Sequence, residues 1–244
     1  AIEHLGFGQL LITSGIGRHE VERAGLVVED VKKSPAKDER AVALLAEAVV
    51  AAAAPEAVAL EVKAFFDELG MVTFPKTSGS KGVHVYLRCK PAYTFTEVRH
   101  CAVAIAREIE RRRPELATAK WWKEERGERV FLDYNRMARD QTIASAYSVR
   151  ARPEATVSAP VTWGELPDCQ IADFDIWTMR NRFAEKGDLH ATIDDIQHDL
   201  TPLLELYDRQ AEGEAPFPPS FALQPGEPKR VQPSRDTRRK RTSE

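Results

Sequence analysis

Two apolar stretches, MVTF at 71–74 and VHVYLR at 83–88, are separated by the short polar run PKTSGSKG. In the second stretch Val83, Val85 and Leu87 alternate with His84, Tyr86 and Arg88, the period of a β-strand rather than of a helix. Two strands joined by so short a glycine-bearing loop lie side by side, which commits the chain to a sheet onto which its helices must pack. Helical spacing is clearest in EVRHCAVAIAREIERRR at 97–113, which stops at Pro114. Asp38 to Gly70 also reads as helical. It divides into an Ala-rich buried helix, AVALLAEAVVAAAA at 41–54, and a second helix that starts at Pro55 and is capped by Gly70.

Further strands are expected at QLLIT (9–13), AGLVVEDV (24–31) and RVFLDY (129–134), with an extended segment TIASAYSVRARP at 142–153. Helices are expected at 172–185 and 192–210, and the Pro-rich, charged end of the chain is expected to be largely disordered. No internal repeat is present. The fold class that follows is α/β or α+β, a mixed sheet flanked by helices.

The 41–54 run is too short for a membrane span, and the opening residues lack the basic and apolar regions of a signal peptide. The opening AIEHLGFG has no Met, so the beginning of a longer protein is expected to be missing. Cys89, Cys101 and Cys169 form no CxxC pair, which argues for a reducing, cytoplasmic setting and against a disulfide frame or zinc site.

The net charge of −3 conceals a strong segregation. Residues 76–152 hold 17 basic against 9 acidic side chains, and residues 153–228 hold 4 against 15. The first 75 residues are mildly acidic and the tail from 229 is basic. A basic middle between acidic flanks suggests a local surface for an anion, nucleotide or nucleic acid.

The loop SGSKGVHV lacks the spacing of a Walker A motif and precedes a strand, so a P-loop NTPase is excluded. What remains is a backbone anion nest to which Ser78 adds a hydroxyl, Lys81 a mobile cation and His84 a ring donor; a simple polar turn is the alternative. Asp133, ending an apolar strand, could hold Mg²⁺ or Mn²⁺ or merely cap a turn. Arg126 and Arg150 could clamp phosphates bidentately or pair with surface glutamates. Trp121 and Trp122, flanked by lysines, could stack bases or fill the core.

In order, KTSGSKGVHVY, a helix, WWKEERGERVFLDYNRMARDQTIASAYSVRARP and APVTWGEL resemble the polymerase domain of bacterial end-joining (ligase D-type) DNA ligases and their stand-alone relatives, in the archaeo-eukaryotic primase superfamily. The resemblance covers roughly residues 60–233. It implies a primase-polymerase core at 71–210, preceded by a diverged segment (1–70) and followed by a basic tail (211–244).

The resemblance further implies that Ser78, Lys81 and His84 bind nucleotide phosphates, that Arg126 and Arg150 contact the nucleotide, and that Asp133 is a catalytic metal ligand. The implied reaction is attack of a primer 3′-hydroxyl on the α-phosphate of an NTP or dNTP, assisted by Mg²⁺ or Mn²⁺, at DNA ends or gaps. The implied partners are primer-template DNA, a DNA ligase and an end-binding protein, on the nucleoid and away from membrane.

Such chemistry requires more than one carboxylate. The family carries an Asp-x-Asp-Pro element at a strand end, a few dozen residues before the loop, and no such element stands here. The one acid-x-acid triplet in residues 1–75 is Glu20-Val21-Glu22, and the nearest match in shape is LVVEDVKKSP with Glu29 and Asp30. Adjacent acids on a strand point to opposite faces, which argues against a shared metal pair. Arg136, three residues after Asp133, could weaken metal binding or grip a phosphate. Three functions therefore compete: an active nucleotidyltransferase, a nucleotide- or DNA-end-binding remnant without activity, and a structural partner of a repair ligase.

Overall fold

The computed structural model describes residues 42–49, 55–138 and 141–230. The strands expected at 9–13 and 24–31, and with them Glu29 and Asp30, lie outside the described residues.

A five-stranded sheet organises the chain, in the order β2-β3-β1-β5-β4. Its strands are β1 (Val42–Val49), β2 (Thr73–Thr77), β3 (Gly82–Arg88), β4 (Ala117–Thr118) and β5 (Val130–Leu132). β2 and β3 form the expected antiparallel hairpin, with Lys76 opposite His84 and Thr77 opposite Val83. β1 runs antiparallel to both β3 and β5, and β4 pairs parallel to β5.

The central strand corrects the sequence reading. Val42–Val49, VALLAEAV, is a strand and not part of a buried helix. An unbroken short apolar run suits a strand covered on both faces as well as it suits a helix, and ladder pairing on both edges outweighs alanine's helix propensity. Its register shifts between Leu44 and Ala46, a bulge that takes up one residue against β3.

The helices are α1 (Pro55–Glu68), α2 (Phe95–Arg112), α3 (Thr178–Lys186) and α4 (Thr201–Gln210). Pro55 opens α1, where a missing N–H costs nothing. Gly70, at φ +67, ends it with Met71 N–H donating to the Phe66 carbonyl. Val58, Val62, Phe65 and Phe66 of α1 are buried. A capping box starts α2: Thr94 Oγ1 accepts from Glu97 N–H, and Glu97 accepts from Thr94 N–H at 2.7 Å.

The helix expected at 192–210 begins only at Thr201, one residue before Pro202, and the preceding residues form turns. The extended segment at 142–153 forms no strand; its end turns back through a Val149–Val157 bridge. Residues 211–230, assigned to the basic tail, contain no helix or strand yet are tied to the body by side-chain hydrogen bonds from Arg99 and Asn135. Among the described residues no helix is long and apolar enough to cross a membrane.

Candidate functional site

The loop between β2 and β3 is folded on itself. Ser78 is buried, and its Oγ accepts from the backbone N–H of Ser80 (3.1 Å) and Gly82 (3.0 Å). Ser78 N–H donates to the Gly82 carbonyl at 2.8 Å. These three amides are engaged within the loop, so the anion nest expected from the glycines is narrower than the sequence suggests. Ser78 keeps its own hydroxyl hydrogen to donate.

The loop rests on residues 147–160. Thr77 N–H donates to the Ala159 carbonyl at 2.9 Å, Thr77 Oγ1 accepts from Ala159 N–H at 3.0 Å, and Thr156 Oγ1 donates to the Gly79 carbonyl at 2.6 Å. Gly79 is required here: φ is +65, and a Cβ would stand 2.7 Å from Arg150 Cγ and 3.0 Å from the Val157–Ser158 backbone. Arg152 fastens the loop's outer edge by donating to Ser80 Oγ at 2.6 Å.

A cavity of about 140 Å³ opens above the loop, lined by Ser78, Lys81, His84, Arg136 and Arg150, with the 142–144 backbone as a further wall. Four of the five predicted phosphate contacts therefore converge, and Arg136 joins them. Lys81 is exposed, whereas His84 is buried. Several cations around a small polar cavity favour an anion and attract one from a distance.

Arg126 does not line that cavity. Its guanidinium lies 3.6 Å from the centre of the Phe131 ring and donates to the carbonyls of Lys120 (3.1 Å) and Trp121 (2.5 Å). Burial lowers its pKa, and the nearby Asp133 carboxylate opposes that shift. Trp121 packs against Phe131 and Tyr134 rather than standing out as a platform.

Asp133 follows β5 directly and caps the 3₁₀ turn Tyr134–Met137, accepting from Asn135 N–H at 3.0 Å. Arg136 Nε approaches its other oxygen at 3.3 Å, so one guanidinium links the carboxylate to the cavity. How this turn is held is not legible from its own residues. Arg99, fully buried in α2, donates to Asn135 Oδ1 (2.9 Å) and to the carbonyls of Ala215 (2.8 Å) and Pro216 (3.0 Å). The only hint was a lone basic residue on the apolar face of that helix.

Among the described residues no group of three or more His, Cys, Asp or Glu side chains could hold a metal ion. β1 lies between the loop strand and the Asp133 strand. Its sequence VALLAEAV holds a single carboxylate, Glu47, in backbone register with His84. The described residues therefore do not make a two-cation site by themselves. A larger hollow, about 650 Å³, lies beside Glu165, Asp168 and Arg182 and includes none of the predicted site residues.

Residues 47–190 match the family model described as LigD, primase-polymerase domain. The chain belongs to that family. Its relatives include the multifunctional non-homologous end joining protein LigD of Mycolicibacterium smegmatis, 35% identical over 137 residues, 56% of this chain and 18% of the relative. The bifunctional non-homologous end joining protein LigD of Bacillus subtilis is 34% identical over 129 residues, 52% of this chain and 21% of that protein. The match thus spans about a fifth of these relatives' length. The polymerase domain of Mycobacterium tuberculosis Ligase D, solved in complex with DNA, superposes with a TM-score of 0.58 at 29% identity, covering 70% of this chain and 61% of that one. The mixed sheet with flanking helices is the fold of that domain. The LigD polymerase domain family is generally metal-dependent.

Proposed function

We propose that this chain is a nucleotidyltransferase module of bacterial non-homologous end joining, binding an NTP or dNTP and adding nucleotides at DNA ends or gaps. The observation that carries this reading is the convergence of Ser78, Lys81, His84, Arg136 and Arg150 on one cavity, with Asp133 joined to it through Arg136. Ser78 and His84 supply neutral donors to phosphate oxygens, while Lys81, Arg136 and Arg150 offset their charge. Arg126 belongs to the nucleotide site only indirectly, by holding the Phe131 end of β5.

Mg²⁺ or Mn²⁺ is part of the proposal, as are a DNA ligase and an end-binding protein as partners. Asp133 is the one carboxylate that the described residues bring to the cavity's edge, and Glu29 and Asp30 are its proposed companions. The residues described do not complete a metal site, so no catalytic step is derived through one. That observation, together with the single carboxylate of β1, favours a second reading in which the module grips nucleotide or DNA ends without transferring anything.

Primer extension with Mn²⁺ and mixed dNTPs and rNTPs separates the two. Template-dependent extension that disappears in Asp133→Asn supports transfer. No extension at high protein concentration, with nucleotide binding retained, leaves the binding reading.

A further inference from the structure

Lys76 is the last cation before the loop, and it is completely buried. It stands opposite His84 across the β2–β3 hairpin, so the two side chains share one face of the sheet. Among the described residues its Nζ meets His84 Nδ1 at 2.7 Å, the Ala144 carbonyl at 2.8 Å, and Ser158 Oγ. The Tyr86 ring lies 5.5 Å away.

An ammonium group has three hydrogens to donate and accepts none, so each neighbour must accept. The Ala144 carbonyl can only accept. Ser158 gives its own hydrogen to the Thr77 carbonyl at 2.8 Å, so its oxygen accepts from Lys76. His84 Nδ1 must then be bare, and the proton of the neutral ring sits on Nε2.

We propose that Lys76 is a positioning residue that fixes His84 as its Nε2–H tautomer, making the ring a hydrogen-bond donor to phosphate. The same ammonium holds together three parts of the cavity: the His84 strand, the Ala144 wall and the Ser158 segment beneath the loop. Its position makes it an organiser of the site and not a ligand contact, because it lines no part of the cavity. The competing arrangement is an uncharged Lys76 amine accepting a hydrogen bond from His84 Nδ1–H. The assignment rests on the phosphate reading of the cavity for its purpose, but not for its geometry.

Long-range ¹H–¹⁵N spectra of the ¹⁵N-labelled full chain, with the His84 signals identified by their loss in His84→Gln, read the tautomer directly. The expected result is one His84 tautomer with Nε2 protonated. A proton on Nδ1, or an average of both forms, overturns the assignment. In Lys76→Met the His84 signals should shift toward the averaged pattern, and tripolyphosphate affinity should fall by about tenfold, the worth of one charge-assisted hydrogen bond. An unchanged Nε2–H signal in a folded Lys76→Met also overturns it; if that variant does not fold, the wild-type spectrum decides. A fixed Nε2–H tautomer in a protein that binds no tripolyphosphate overturns the phosphate reading and leaves the Lys76–His84 assignment standing.

Discussion

On one side of the cavity, Ser78, His84 and Arg150 are held by a buried network running through Lys76, Thr77, Thr156 and Ser158, with Gly79 pressed against Arg150. On the other side, Asp133 stands at a strand end, mostly buried, with one carboxylate oxygen on a backbone amide and the other near Arg136. The first side is built into a buried hydrogen-bonded network, so under the proposed function a phosphate would be met by groups already in place. The second offers a single described carboxylate, and Arg136 beside it is itself a phosphate-binding candidate. Phosphate binding and phosphoryl chemistry therefore make separable demands on this fold, and substitutions can probe each alone.

The largest effect is expected on the carboxylate side. Asp133→Asn keeps an oxygen for Asn135 N–H but removes the charge. If transfer occurs, primer extension should fall by about a thousandfold or more, as expected when a metal-binding carboxylate is lost. Metal-free tripolyphosphate binding, followed by calorimetry, should stay the same or tighten slightly. A parallel loss of both would show that the two sides are one unit.

Gly79→Ala attacks the loop side. The positive φ alone costs about 1–2 kcal/mol, and the contacts with the Val157–Ser158 backbone cannot be relieved without moving the loop. We expect tripolyphosphate affinity to drop by about tenfold or more and the melting temperature to fall by several degrees. Wild-type binding in Gly79→Ala would mean that the loop is not the recognition element.

Arg126→Ala sharpens the boundary between the sides. Loss of its stacking on Phe131 should cost about 1 kcal/mol of stability by chemical denaturation. Tripolyphosphate affinity should change by less than about twofold, a difference too small to reflect a lost charge-assisted contact. A drop of about tenfold would place Arg126 on the phosphates after all.

The smallest effect lies away from the cavity, on the far part of α2. Hydrogen bonding to Arg111 holds the Glu108 carboxyl at about 2 against an ordinary 4.5, with burial opposing and Arg112 assisting. A depressed carboxylate pKa stabilises the fold fully above 4.5, and that contribution is lost as pH falls toward about 2. Glu108→Gln should therefore flatten the acid limb of the stability profile between those values without altering phosphate binding near neutrality. A steeper limb would contradict the sign.

Much of the cavity was legible because its residues lie close together in sequence. The β2–β3 hairpin announces itself by alternation and glycine, and Ser78, Lys81 and His84 follow from its register. Asp133 and Arg150 required the order of motifs, since chain separation hides their approach. β1 was misread because an Ala-rich apolar run does not reveal whether it lies in a sheet. Lys76 was not singled out in the sequence; its position opposite His84 could have been derived from the hairpin register, but its burial depends on the distant residues Ala144 and Ser158. Arg99 and the Pro216 strap were illegible for the same reason, as partners more than a hundred residues apart in the chain.

The central claim is that the loop-side cavity is a triphosphate site, and calorimetric titration of the full chain with a dNTP, beside Lys81→Ala, tests it most directly. Lys81 is exposed, so its removal should leave the melting temperature unchanged. The wild type should bind, and Lys81→Ala should bind about ten- to a hundredfold more weakly, the worth of one charged phosphate contact. A wild type that binds no dNTP, or a Lys81→Ala protein that binds it equally well, would contradict the claim.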